Sequence, residues 1–81
     1  MLINAVESTT LATIAYDEAL ELLQLEFRSE AIYQYFAVPA AVYLAFLDAP
    51  SKGRYFNQVI RGCFRYALVV KLDAEAPRAR D

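Results

Sequence analysis

The residues of this chain best suited to binding chemistry lie where a predicted helix begins. Ser51, Lys52 and Gly53 follow Pro50, which stops the preceding helix. The first N–H groups of a helix lack partners within it and lie at its positive end, so they can bind a phosphate. Gly53 would let a phosphate approach the backbone closely, and the adjacent Lys52 would attract it, so both residues suit phosphate binding. The alternative, which we favour, is an ordinary serine N-cap, with Gly53 letting the two helices approach closely.

Polar and basic side chains continue along one side of this second helix, which we expect to run from 51 towards 66, with Gly62 either ending or kinking it. They are Arg54, Asn57, Gln58, Arg61 and Arg65. No acidic residue occurs between Asp48 and Asp73, although the chain has a formal net charge of −2. This face could therefore bind RNA phosphates or an acidic protein. The alternatives are a solvated face, or weak surface pairs with the chain's own Glu21, Glu26 or Glu30.

Two tyrosines, Tyr33 and Tyr35, are separated by one residue in a predicted strand. Aromatic rings on an exposed sheet can stack on the bases of a single strand. The alternative, which we favour, is that both rings lie in the core beneath the helices, with their hydroxyls reaching the rim.

Other chemistry is poorly supported by the sequence. The chain has one cysteine and no histidine, which excludes an internal disulfide, a Cys/His zinc site and a Ser–His or Cys–His nucleophile. No pair of carboxylates has a spacing that suggests acid–base catalysis. We expect Cys63 to be buried beside Phe56 and Ile60. We therefore predict no catalytic residues, no metal site, no cofactor and no enzymatic activity.

The hydropathy pattern predicts the elements that position these residues. The chain has 81 residues, of which 58% are hydrophobic, enough for one small domain. Strands are expected at 11–16, 20–28 and 31–36, followed by helices at 40–49 and from 51. The predicted fold is α+β, a three-stranded antiparallel meander followed by two short helices packed on one face. We expect a domain at 6–66, poorly ordered ends at 1–5 and 73–81, and an extra strand or a helix extension at 67–72.

The face of the sheet that carries the tyrosines depends on the turn at Ser29. A two-residue turn pairs Phe27 with Ile32, whereas a three-residue turn pairs Phe27 with Ala31. Only the second places Tyr33 and Tyr35 on the same face as the alternating leucines of the preceding strand, because a slip of one residue flips every side chain. Polarity alone does not decide between the two registers.

Taken together, these residues resemble the KTSC family, a short domain found at the C-terminus of some lysyl-tRNA synthetases and as stand-alone bacterial proteins. The resemblance covers about 6–66 and is carried by Val6 and Ser8, Ile14-Ala15-Tyr16-Asp17, Leu23, Leu25 and Phe27, Tyr33-Gln34-Tyr35, Val38-Pro39, Val42-Tyr43, Ala49-Pro50-Ser51-Lys52-Gly53, Tyr55-Phe56-Asn57 and Ile60-Arg61. Where this chain has Ala15 the family often has glycine, and it usually has glycine at Glu30-Ala31. A glycine there implies a three-residue turn with a bulge, so the resemblance favours tyrosines that face the helices, with Glu30 in a strained conformation.

The family's function is unknown, and its synthetase context suggests RNA binding. We therefore predict a small noncatalytic module that contacts RNA phosphates through Ser51, Lys52, Gly53, Arg54, Asn57 and Arg61. The alternative is a protein-interaction or homo-oligomeric assembly module without a nucleic-acid role. No apolar run is long enough to span a membrane, and no secretory signal is seen, so we expect a cytoplasmic protein.

Overall fold

An antiparallel sheet of five strands, arranged in chain order, forms the base of the fold. The computed structural model describes residues 2–71, and the predicted loose end at 73–81 lies outside the described residues. The strands are β1 (Leu2–Ala5), β2 (Leu11–Asp17), β3 (Leu22–Phe27), β4 (Ala31–Tyr35) and β5 (Tyr66–Lys71). The helices are inserted between β4 and β5, so the chain returns to the sheet after them.

The predicted α+β class with two helices is confirmed, but the prediction of three strands is wrong. The segment expected to be poorly ordered at 1–5 supplies β1, which pairs with β2 from Leu2 opposite Tyr16 to Ala5 opposite Thr13. Of the two alternatives for 67–72, the strand is the one formed, and β5 pairs with β4. Through these pairings the backbone N–H and C=O groups along the outer edges of β2 and β4 find partners.

The turn between β3 and β4 has the three-residue form. Leu25 lies opposite Tyr33 and Leu23 opposite Tyr35, so the tyrosines share a face with the leucines. The Glu30 N–H donates to the Phe27 carbonyl oxygen at 2.8 Å, and Glu30 takes a φ of +73°. The strained turn residue that the family's glycine implied is therefore present here as a glutamate.

The helical region is shorter than the sequence indicated. Helix α1 spans Ala40–Asp48, and α2 spans Lys52–Tyr55 and continues directly into a π-helical segment at Phe56–Ile60. Of the two alternatives for Gly62, an end or a kink, the end is the one formed, and the helix does not continue towards 66. Gly62 adopts a φ of +79° in the turn that follows, which a helix cannot contain.

The core lies between the helices and one face of the sheet. Its fully buried side chains include Ile14 and Leu25 from the sheet and Phe46 and Ile60 from the helical region. The Tyr16 and Tyr43 rings stack with centroids 4.5 Å apart, and Phe46 stacks on Tyr55 at 5.0 Å, which joins α1 to α2. The two short helices do not cover the whole face, and this leaves part of β5 exposed.

Candidate functional site

The start of α2 is built as an N-cap. The Ser51 hydroxyl oxygen accepts a hydrogen bond from the Arg54 N–H at 3.3 Å, and the Ser51 backbone is extended rather than helical. The Lys52 ammonium donates to the Ala49 carbonyl oxygen at 2.5 Å, at the C-terminal end of α1. A cation is favourable at that end of a helix. Ser51 and Lys52 therefore both have structural contacts, and Lys52 turns back towards α1.

Gly53 allows the loop that precedes β2 to approach the helix. A β-carbon at Gly53 would lie 3.2 Å from the Thr10 hydroxyl oxygen, closer than ordinary van der Waals contact. The loop has its own fixed shape, because the Ser8 hydroxyl accepts from the N–H groups of Thr10 and Leu11. The Arg28 guanidinium also donates to the Ser8 carbonyl oxygen at 3.1 Å. The close partner of Gly53 is this loop rather than the other helix.

An open depression of about 770 Å³ separates the loop from α2. We call it the polar cleft. Its lining includes residues 7–10 from the loop and five of the six predicted site residues, Ser51, Lys52, Gly53, Arg54 and Asn57. Glu7 contributes a carboxylate and Arg54 a guanidinium, and both residues are exposed. Within residues 2–71, the cleft can therefore offer backbone N–H groups, hydroxyls and the exposed Arg54 guanidinium to a ligand, beside the Glu7 carboxylate.

Arg61, the sixth predicted site residue, lies away from the polar cleft and lines a second depression. Its guanidinium donates to the Asn57 side-chain oxygen at 3.5 Å, across one turn of the helical region. The second depression measures about 680 Å³ and lies between the π-helical segment and β5. We call it the aromatic groove, because its lining includes Phe27, Tyr33, Tyr35, Phe56 and Tyr66, together with Leu68.

Tyr35 and Tyr33 differ in depth along the aromatic groove. Tyr35 is 5% exposed and belongs to the core, where its ring meets Phe56 edge-on at 5.9 Å. Tyr33 is only half-buried and meets Phe27 edge-on at 5.7 Å. Burial raises the pKa of Tyr35 to about 12, with Tyr33 and Tyr66 acting in the same direction and Arg61 lowering it. Arg61 and Tyr35 both line the aromatic groove.

Two of the three acidic residues considered as partners of the helical arginines, Glu21 and Glu26, have other contacts in the structure. Glu26 lies on the face of the sheet away from the helices and accepts from the Thr13 hydroxyl at 3.1 Å. Glu21 lies in the β2–β3 turn, where its carbonyl oxygen accepts from the Val38 N–H. The alternation along β3 separates Glu26 from the helices, because its neighbours Leu25 and Phe27 face them.

Two expectations about the end of the helical region are wrong. Cys63 is exposed rather than buried beside Phe56, because the helix ends at Ile60 and Cys63 lies in the turn beyond it. Arg65 is not on the helix face, since it precedes β5 and its carbonyl oxygen accepts from the Phe36 N–H at 2.9 Å.

The exposed part of the aromatic groove was not predicted. Tyr66 and Leu68 lie opposite Tyr35 and Tyr33 in the β4–β5 pairing and so on the helix side of the sheet. The sequence signal that could have revealed them is the two-residue spacing of Tyr66 and Leu68. This spacing places both side chains on one face of the sheet if 67–72 forms a strand. Among residues 2–71, no group of three or more cysteine or acidic residues could hold a metal ion, and no helix could cross a membrane.

Comparison with known proteins confirms the family resemblance. Residues 7–66 match the family model of the KTSC domain. An uncharacterized protein of Stutzerimonas stutzeri is 46% identical over 57 residues, covering 70% of this chain and 80% of that protein. The crystal structure of a KTSC domain protein from Yersinia pestis has a TM-score of 0.83 and 35% identity, covering 85% of this chain and 97% of that one.

A third comparison concerns a much longer protein. A lysine–tRNA ligase of Nostoc sp. is 42% identical over 60 residues, which cover 74% of this chain. The matching segment makes up only 11% of the ligase. The ligase activity therefore belongs to that longer protein, and the shared part is the small domain.

Proposed function

The chain belongs to the KTSC domain family, and we propose that it is a noncatalytic module that binds RNA through the exposed face of α2 and the π-helical segment. The observation that carries this proposal is the position of Arg54 and Arg61. Both are exposed, Arg54 lies in α2 and Arg61 directly follows the π-helical segment, and each lines one of the two depressions. Asn57 lies between them and bonds to Arg61. A phosphate backbone crossing this face would meet two cations in succession.

The six proposed site residues divide into two groups. Ser51, Lys52 and Gly53 shape the cleft through the cap, the bond to α1 and the approach of Thr10. Arg54 and Arg61 present exposed charge to the ligand. The first turn also leaves the N–H groups of Lys52 and Gly53 without intrahelical partners, and these can add hydrogen bonds to a phosphate.

The relatives supply a context for this choice of ligand. Lysine–tRNA ligases, which act on tRNA, contain a segment similar to this domain. An appended RNA-binding module would increase the local concentration of tRNA near such an enzyme. We therefore propose that the present chain is a cytoplasmic protein that binds RNA without transforming it.

Fluorescence anisotropy with labelled tRNA, measured over a series of salt concentrations, tests the proposal. We expect binding at low salt that weakens as salt rises, because counterions are released from the phosphates. Arg54→Gln and Arg61→Gln should each weaken binding by about two- to five-fold, the effect of one exposed ion pair. Each should also reduce the slope of log K against log salt by about one.

A charge-matched variant separates this face from net charge. Arg80→Gln removes the same charge from the C-terminal end and should leave affinity nearly unchanged. An equal loss of affinity in all three variants would assign binding to overall charge rather than to the helix face. No binding of tRNA by the unmodified protein at low salt would overturn the proposal.

A second candidate function, assembly with further copies of the chain, is favoured by β5. Within the described residues β5 is an edge strand, and Leu68 and Val69 are exposed on it. Val69 has no partner in β4, because Leu68 pairs with Tyr33 and Val70 with Ile32. Such a bulge twists an edge strand and hinders strand pairing with a neighbour. The exposed apolar side chains favour assembly, whereas the bulge opposes it.

Light scattering at increasing protein concentration tests the assembly candidate. A dimer that Val69→Lys dissociates would support it, and a monomer at all concentrations would exclude it over that range. Truncation after residue 66 would be a poor test, because it would remove most of β5 from the sheet.

A further inference from the structure

The aromatic groove is a place where the helices leave part of the core side of the sheet exposed to solvent. Tyr66 is 60% exposed and Leu68 is 51% exposed, although both lie on the helix side of the sheet. The π-helical segment reaches Tyr35 through Phe56, but the chain then turns away at Gly62 before it covers β5. Apolar side chains that would otherwise be covered are thus presented to a ligand.

The rings in the aromatic groove are held in place by one another. Tyr66 stacks on Tyr35, with centroids 5.6 Å apart, and lies tilted against Tyr33 at 5.8 Å. Phe27 in turn meets both Tyr33 and Phe56 edge-on. Because these rings already contact their neighbours, little side-chain freedom is lost when a flat ligand stacks on the exposed part of Tyr66.

The charge of the residues that line the aromatic groove indicates which class of ligand it can bind. Among residues 2–71, Arg61 is the charged residue that lines the groove, and no carboxylate of that range lines it. Its volume of about 680 Å³ lies within the range of about 300–1,000 Å³ found for small-molecule sites. Exposed aromatic rings beside one cation fit a ligand that is both flat and anionic, which describes a nucleotide.

We propose that the aromatic groove binds an unpaired base of single-stranded RNA, which stacks on Tyr66 while Arg61 contacts the adjoining phosphate. This inference rests on the proposed RNA-binding function and adds the strandedness of the ligand. A base in a duplex has both faces covered by its neighbours, so only an unpaired base can stack on a protein ring. Arg61 links the two parts of the ligand, because it lines the groove and also bonds to Asn57 on the helix face.

The test compares an unstructured, labelled 12-nucleotide RNA with a labelled RNA duplex of the same length, using the full chain. The unmodified protein should bind the single strand more tightly than the duplex. Tyr66→Ala should weaken single-strand binding by about ten-fold, within the range measured for loss of one stacked base. It should change duplex binding little. Tyr66→Phe keeps the ring and should retain single-strand affinity within about two-fold.

Two further measurements keep the result interpretable. Leu44→Ala removes a similarly exposed apolar side chain from α1 and should leave binding unchanged. Nuclear magnetic resonance with uridine monophosphate should shift the amide signals of Gly62 and Leu68 in the unmodified protein, which requires no variant to fold. Circular dichroism confirms that each variant retains the sheet.

The outcomes distinguish the two proposals. If Arg54→Gln weakens RNA binding while Tyr66→Ala does not, the groove proposal is overturned and the proposed function stands. If neither RNA binds, both are overturned. If Tyr66→Ala instead abolishes a concentration-dependent dimer, the aromatic groove is an interface between copies, and the base-binding proposal is also overturned.

Discussion

The ring of Tyr66 lies stacked on that of Tyr35, with the centroids 5.6 Å apart and the planes at 29°. Tyr66 is 60% exposed and Tyr35 is 5% exposed, so the stack runs from the surface into the core. The aromatic groove therefore has part of the core as its floor. Changes at the groove should affect stability as well as binding, and the two have to be measured together.

The Tyr35 hydroxyl should make the fold sensitive to strongly alkaline pH. Burial raises its pKa to about 12, whereas an unfolded tyrosine titrates near pH 10. Between these values the unfolded chain loses the proton first, so the free energy of unfolding falls as pH rises. A pKa difference of two units corresponds to about 2–3 kcal/mol of unfolding free energy. This contribution is fully present below pH 10 and is lost by about pH 12. Urea denaturation at pH 9, 10, 11 and 12 measures the loss.

Tyr35→Phe is the matched variant for this effect. It removes the titrating group and keeps the ring, so its stability should depend less steeply on pH over the same interval. Some dependence should remain, because burial also raises the pKa of Tyr16 and Tyr55. An unchanged slope in Tyr35→Phe would show that this hydroxyl is not the cause.

The Tyr16 hydroxyl should stabilise the connection between β4 and α1. It donates to the Val38 carbonyl oxygen at 2.6 Å in a buried position. Tyr16→Phe leaves that carbonyl without its partner and should cost about 1–3 kcal/mol of unfolding free energy. Thermal denaturation should show a decrease in Tm of several degrees. Tyr66→Phe removes an exposed hydroxyl and should change Tm little, so equal effects would contradict the assignment.

Glu30 should be replaceable by glycine with a gain in stability. Its φ of +73° costs a non-glycine residue about 1–2 kcal/mol, and the added freedom of glycine in the unfolded chain offsets only part of the gain. We expect Glu30→Gly to raise the free energy of unfolding by about 0.5–1 kcal/mol. Ser29→Gly, at the neighbouring turn residue, should be neutral or destabilising. A loss of stability in Glu30→Gly would contradict the strain argument.

The sheet register could be predicted only with the help of the family resemblance. The alternation of Leu23, Leu25 and Phe27 fixes one face, and the glycine that the family usually has at Glu30-Ala31 implied the left-handed residue that fixes the turn length. Together they place Tyr33 and Tyr35 on the helix side, as the structure has them. The edge strand β1 was harder to predict, because it spans only Leu2–Ala5 and is too short to show a clear alternation of apolar and polar residues.

The parts of the site that escaped prediction depend on where the helix stops. A helical reading that continues past Gly62 buries Cys63 and puts Arg65 on the helix face. In the structure the helical region ends at Ile60, and Tyr66 is the first residue of β5. Helix ends are poorly specified by periodicity alone, and here a strand competes for the same residues. The separation of Arg61 from the polar cleft follows from tertiary packing that residue spacing does not encode.

Lys52 and Arg54 should separate stability from RNA binding. The Lys52 ammonium bonds to the Ala49 carbonyl oxygen, whereas the exposed Arg54 residue lines the polar cleft. Lys52→Met, which keeps most of the side-chain length, should lower the free energy of unfolding by about 0.5–1.5 kcal/mol and weaken tRNA binding only slightly. Arg54→Gln should weaken binding more and leave stability within about 0.5 kcal/mol. Urea denaturation and anisotropy on both variants measure the two effects. Because both substitutions remove one positive charge, a larger loss of affinity in Lys52→Met would show that the lysine, rather than the arginine, contacts the phosphate.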